Sequence, residues 1–98
     1  MAQKIGCITK ERKKAILSRL NRIKGQVNGM QRMLEDDRYC LEILQQLSST
    51  HEALRGVSKV LMKNYLEVCV TKAIQSKRKE RQDKIYSELM DVVYKFAK

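Results

Sequence analysis

Between Tyr39 and Cys69 the chain reads YCLEILQQLSSTHEALRGVSKVLMKNYLEVC, a stretch with no proline and a single glycine, Gly56. Leu44, Leu47, Leu54, Leu61, Tyr65 and Val68 recur at helical spacing on the face that carries Cys40 and Cys69, and Ile43, Val57 and Val60 extend that face to one side. The spacing predicts one long helix. Its two thiols are 29 residues apart, nearly a whole number of turns, so both point the same way while lying roughly 43 Å apart along the axis. They can meet only if a second copy of the helix lies antiparallel, with Cys40 of one copy against Cys69 of the other. Gly56 falls near the midpoint, where a two-fold axis would pass and a small residue lets two helices approach.

Working outward, Ile16, Leu20, Ile23, Val27, Met30 and Leu34 alternate steps of four and three, which is a heptad seam. Leu17 and Met33 widen it. With Thr9 as N-cap, this predicts a helix over about residues 10–35. Gly25 and Gly29 lie away from the seam, and either a close backbone or phosphate explains them or the helix tolerates them. Glu35-Asp36-Asp37-Arg38 reads as a short connection, with Asp36 or Asp37 capping the next helix. Gln75 to Lys84 is polar and basic, a connector or the solvated start of a third helix. Ile85, Leu89, Val92 and Phe96 then carry that helix to about residue 97. Residues 1–8 read as a flexible arm, and the whole chain, 1–98, as one all-α domain of three helices.

The net charge is +10, from 21 Lys and Arg against 11 Asp and Glu. Such an excess fits a polyanion, either nucleic acid or an anionic membrane surface. A chain of 98 residues buries a modest core alone, so a dimer or larger assembly is expected. No apolar run approaches the length of a membrane span and no signal peptide is visible, which points to the cytoplasm. In that reducing setting the three cysteines speak for metal binding, redox sensing or burial.

Cys40 stands in the first turn of the long helix, where unpaired N–H groups and the helix dipole favour an anion such as a thiolate. Cys69, near the far end, lacks that help and would act as the resolving thiol. The plainer alternative is that both are small buried hydrophobes. His51 is about 16 Å of helix from Cys40, too far to share a metal with it, and reads as a partly buried structural residue. Cys7 reads as a free surface thiol. Lys14, Arg22 and Arg32 lie opposite the first helix's seam and Arg19 and Lys24 flank it, so the exposed side is a cationic strip suited to phosphate contacts. No Ser/His/Asp set, Gly-rich phosphate loop or convergent carboxylate pair is present, which argues against an enzyme.

The runs Arg19-Leu20-Asn21-Arg22-Ile23-Lys24-Gly25-Gln26-Val27-Asn28-Gly29-Met30, Asp37-Arg38-Tyr39-Cys40, Leu54-Arg55-Gly56 and Tyr65-Leu66-Glu67-Val68-Cys69 resemble the CsoR/RcnR family of bacterial transcriptional repressors. The resemblance implies an antiparallel four-helix-bundle dimer, usually a dimer of dimers. It implies double-stranded operator DNA bound without a helix-turn-helix and released when an inducer binds between subunits. Copper-sensing members carry a histidine four residues before the second cysteine, and here that position is Tyr65. Phenol is a poor ligand for Cu(I). Two cysteines without the histidine are similar to the persulfide-sensing branch, CstR, in which sulfane sulfur bridges the thiol pair. Tyr39 and Glu88 match the outer tyrosine and glutamate that couple copper binding to DNA release. Arg19 matches a basic position implicated in DNA binding, and Arg55 aligns approximately with a second. The expectation is therefore a repressor with no required cofactor, sensing reactive sulfur through Cys40 and Cys69. The alternative is a Cu(I)-responsive repressor of copper-resistance genes, with Cys40 and Cys69 as metal ligands. A weaker one is a constitutive helical DNA-binding protein with inert thiols. Lys14, Arg19, Arg22, Lys24 and Arg55 are the candidate DNA contacts. A membrane-surface role is disfavoured, because the cationic helix also carries a regular packing seam.

Overall fold

Thr9 opens the first helix as its residue type suggests. Its backbone is extended and its side chain accepts a hydrogen bond from the Arg12 amide at 3.3 Å, capping an otherwise unpaired donor. In the computed structural model, which describes residues 7–96, the elements are α1 (Lys10–Glu35), α2 (Cys40–Asn64), a π-helical segment (Tyr65–Val70), α3 (Thr71–Gln75) and α4 (Lys79–Phe96). Asn64, Val70 and Thr71 keep right-handed helical dihedrals, so α2, the π segment and α3 are one helical run. The subunit is all-α with three such runs, as the apolar spacing predicts.

Both turns are closed by backbone geometry rather than by glycine. At the first, the Arg38 amide donates to the Met33 carbonyl and the Asp37 amide to the Leu34 carbonyl, a Schellman closure that needs a left-handed residue after the cap. Asp37 supplies it with φ 52°, which Asp tolerates better than most side chains. Asp36 is the C-cap of α1. The pair expected to start the second helix thus finishes the first. Of the two readings of the basic run Gln75 to Lys84, the solvated start of the third helix holds for most of it. Only Ser76, Lys77 and Arg78 lie between α3 and α4, and Lys77 takes the left-handed conformation at φ 59°. The Ser76 hydroxyl donates to the Ala73 carbonyl at 2.6 Å, and the Gln82 side-chain amide reaches back to the Ile74 carbonyl at 2.9 Å. The remaining basic residues, from Lys79 onward, form the first turns of α4.

The chain forms two compact bodies, Thr9–Met62 and a second one from Lys63 onward that includes Cys7 and Ile8. In the first, α1 and α2 divide the heptad seam. Ile16 and Ile23, seven residues apart, are buried with Val57, and Ala53 and Val60 pack against them. Leu20, Val27 and Leu34, also seven apart, stay exposed. On α2, Thr50 and Val57 are buried, while Leu47, Leu54 and Leu61 are exposed on the seven-residue line that begins at Cys40. Val57, expected at the margin of the apolar face, is central to this core. In the second body Val70 and Ala73 are the buried apolar residues.

The π segment corrects one expectation. Counting from Cys40 to Cys69 assumed uniform α-helix. A π turn closes i→i+5 and holds an extra residue, so a single helical phase does not carry through Tyr65–Val70.

Candidate functional site

The second body brings together residues that are distant in sequence. Cys69, half-buried in the π segment, is disulfide-bonded to Cys7, with the two Cα atoms 6.2 Å apart. Cys7 is therefore not the free surface thiol that its position in the arm suggested. The arm itself is tethered at Cys7, while residues 1–6 lie outside the described part. Asn64, last residue of α2, is 2 % exposed, and its amide donates to the Cys7 carbonyl at 3.3 Å. A buried amide needs such a partner, because leaving it unpaired costs about 1–3 kcal/mol.

One turn before Cys69, the half-buried Tyr65 donates its hydroxyl proton to Glu88 Oε1 on α4 at 2.8 Å. Burial, then the hydrogen bond to Glu88 and its negative charge, push the Tyr65 phenol up to about 12. At neutral pH it is a protonated donor and not a phenolate. Of the candidate outer residues, Tyr65 and Glu88 are thus directly joined.

Cys40 and Tyr39 belong to the first body. Cys40 is exposed, carries a free thiol and is the first residue of α2; Tyr39, just before it, is exposed too. His51 is exposed in the single chain, not partly buried as expected. No group of three or more His, Cys, Asp or Glu that could hold a metal forms within one chain among the described residues.

Lys14, Arg19, Arg22 and Lys24 all lie exposed on α1. Arg19 and Arg22 line an open cavity of about 460 Å³ together with Ala15, Ser18, Ile23 and Ala53. A Cβ at Gly56 would stand 2.9 Å from an Arg19 guanidinium nitrogen, the far end of a flexible side chain that can shift aside. Around Gly25 and Gly29 nothing lies within 4 Å of a Cβ position, and no neighbour in the chain explains them. Arg55, exposed on α2, lies 3.8 Å from Glu52, a solvent-facing pair of little energetic weight. No helix among the described residues is long and apolar enough to cross a membrane.

Comparison with known proteins defines the family. Residues 12–95 match the family model described as metal-sensitive transcriptional repressor. The chain is 44% identical over 86 residues to the copper-sensing transcriptional repressor CsoR of Bacillus subtilis, covering 88% of this chain and 82% of that one. It superposes with TM-score 0.81 and 43% identity on the crystal structure of the copper-sensing repressor CsoR with Cu(I) from Geobacillus thermodenitrificans, covering 100% of this chain and 95% of that one. A variant of the formaldehyde-responsive regulator FrmR from Salmonella enterica serovar Typhimurium aligns with TM-score 0.75 and 27% identity over 90% of this chain and 97% of that chain.

The copper-sensing relatives overturn the assignment to the persulfide-sensing branch, and with it the sulfur-sensing function. That expectation hung on Tyr65 alone. A protonated phenol held by Glu88 neither adds nor removes a thiolate, and thiolate is the ligand type that Cu(I) prefers. The match across nearly the whole chain, in both sequence and fold, places it in the metal-sensitive transcriptional repressors, a family of regulators and not of enzymes.

Proposed function

We propose that this chain is a cytoplasmic Cu(I)-responsive repressor, a single sensor and DNA-binding domain that acts as a dimer or dimer of dimers on double-stranded operator DNA. The observation that carries this reading is the likeness to copper-sensing repressors over nearly the full chain, with Cys40 and Cys69 both present. The inducer site forms between copies, Cys40 of one and Cys69 of another holding Cu(I) as soft thiolate donors. Tyr65 and Glu88, with Tyr39, flank the site and carry its occupancy to the helices.

Two features support the assembly. Leu20, Val27 and Leu34 on α1, and Leu47, Leu54 and Leu61 on α2, stand exposed on seven-residue lines, more apolar surface than a lone soluble chain tolerates well. A second copy, antiparallel, covers them as a four-helix bundle. The cations support the DNA partner. Lys14, Arg19, Arg22 and Lys24 make no ion pair with any described residue, and the space beside Arg19 and Arg22 suits a phosphate. With Arg55 they form a strip that symmetry repeats along a duplex.

The test is fluorescence anisotropy on operator DNA with reduced protein. Cu(I) should weaken binding by a coupling of about 1–3 kcal/mol, and Cys40→Ser or Cys69→Ser should abolish that response while leaving copper-free DNA binding intact. An unchanged Cu(I) response in both variants would sink the proposal.

A further inference from the structure

Cys7 has no part in the site just described, yet it is the residue bonded to Cys69. Its position does not depend on that bond alone. The buried Asn64 amide grips the Cys7 backbone carbonyl at 3.3 Å, and Asn64 sits immediately before the segment that carries Cys69. The two cysteine Cα atoms are 6.2 Å apart, so the reduced pair keeps two sulfurs side by side. Tyr65, one turn before Cys69, has its phenol proton committed to Glu88. Cys7 is thus the soft donor that the chain itself places next to Cys69.

We propose that Cys7 is a third sulfur ligand for Cu(I), holding the ion together with Cys69 while Cys40 of a second copy completes a three-sulfur site. The inference rests on the Cu(I) reading above and adds a ligand to it. The disulfide is the oxidised, closed form of the pair. A small-molecule thiol opens it by exchange: its thiolate attacks one sulfur to give a mixed disulfide, a second equivalent releases that sulfur, and the reagent leaves as its own disulfide. Each protein thiol then gives its proton to solvent on binding the ion, and copper stays Cu(I) throughout.

The experiment loads reduced, full-length protein with Cu(I) and counts the sulfurs around it by X-ray absorption, alongside competition with a Cu(I)-selective chelator. The unmodified chain should show three sulfurs. Cys7→Ser should show two, with affinity down about tenfold or more, since losing even an outer partner of a metal ligand costs 10–100-fold. Cys7→Ala gives the same reading if serine disturbs the arm, and circular dichroism confirms that helicity is kept. Two sulfurs in the unmodified chain, or equal affinity in both Cys7 variants, overturns the proposal. The two readings separate cleanly. If Cys69→Ser loses Cu(I) while Cys7→Ser does not, only the third ligand fails; if Cys40→Ser and Cys69→Ser both respond normally to Cu(I), the inducer site fails as well.

Discussion

The two bodies of this chain are held by different mixtures of force. Thr9–Met62 is a pair of helices joined through Ile16, Ile23 and Val57, with surface ion pairs such as Arg38–Glu42 at 2.8 Å. The body beginning at Lys63 buries Val70 and Ala73 and half-buries Val68, Ile85, Leu89 and Val92. It adds individual bonds between distant residues: Cys7 to Cys69, Asn64 to the Cys7 carbonyl, Tyr65 to Glu88 and Gln82 to the Ile74 carbonyl. Apolar packing is additive and forgiving, whereas named bonds are specific and can be switched. The first kind suits a scaffold that presents cations to a polyanion, and the second suits a place where a small inducer acts.

Mutations test this division, from the largest effect down. Ile23→Ala should cost about 2–5 kcal/mol, the usual range for truncating a buried aliphatic side chain, read as a lower urea midpoint at fixed protein concentration. A loss under 1 kcal/mol would mean that the first body is not held by its core. Reduction of Cys7–Cys69, which closes a sequence separation of 62 residues, should lower stability by about 2–4 kcal/mol through the freed unfolded chain. Cys7→Ser should reproduce that loss and be insensitive to reductant.

The Tyr65–Glu88 bond makes a pH prediction with a definite sign. The folded-state phenol is raised above its ordinary value of 10.0 to about 12, so between those two limits the native state holds a proton that the unfolded chain has released. The stabilisation is complete below pH 10 and falls away as pH climbs through 12. Tyr65→Phe should flatten the alkaline limb of a stability–pH curve, and an unchanged limb would show that the bond contributes nothing. The smallest effect is expected at the second turn. Lys77→Gly relieves a left-handed non-glycine residue and should raise stability by up to about 1 kcal/mol, seen as a modest rise in Tm.

What the sequence disclosed follows the same line. Heptad spacing from Ile16 to Leu34 and from Cys40 to Leu61 announces two packed helices, because periodicity is a local signal. Thr9 is legible as a cap for the same reason. The spacing cannot say which half of a seam is filled within the chain. That Ile16 and Ile23 are buried while Leu20 and Val27 are not depends on where the second helix lies. In the other body the informative pairs are separated by 62, 57 and 23 residues. Nothing local marks Cys7 as the neighbour of Cys69, or Tyr65 as the donor to Glu88. The π segment was equally hidden, since YLEVCV scans as ordinary helix. Tyr65 misleads for the opposite reason: one unusual side chain stands out locally, while the likeness to copper-sensing repressors runs over nearly the whole chain.

The turn at Ser76–Arg78 has a consequence for the integrity of the chain. It sets Lys77, Arg78 and Lys79 in a row, all exposed, at the one interruption between the second helical run and α4. A trypsin-like protease, which cuts after basic residues in exposed loop tips, should find its first purchase there. A single nick would cut the covalent tie between Glu88 and Tyr65 while leaving the hairpin Thr9–Met62 and its cationic strip whole. Limited digestion is therefore a way to detach α4, with Glu88, from a fragment that keeps the cationic strip together with Cys40 and Cys69.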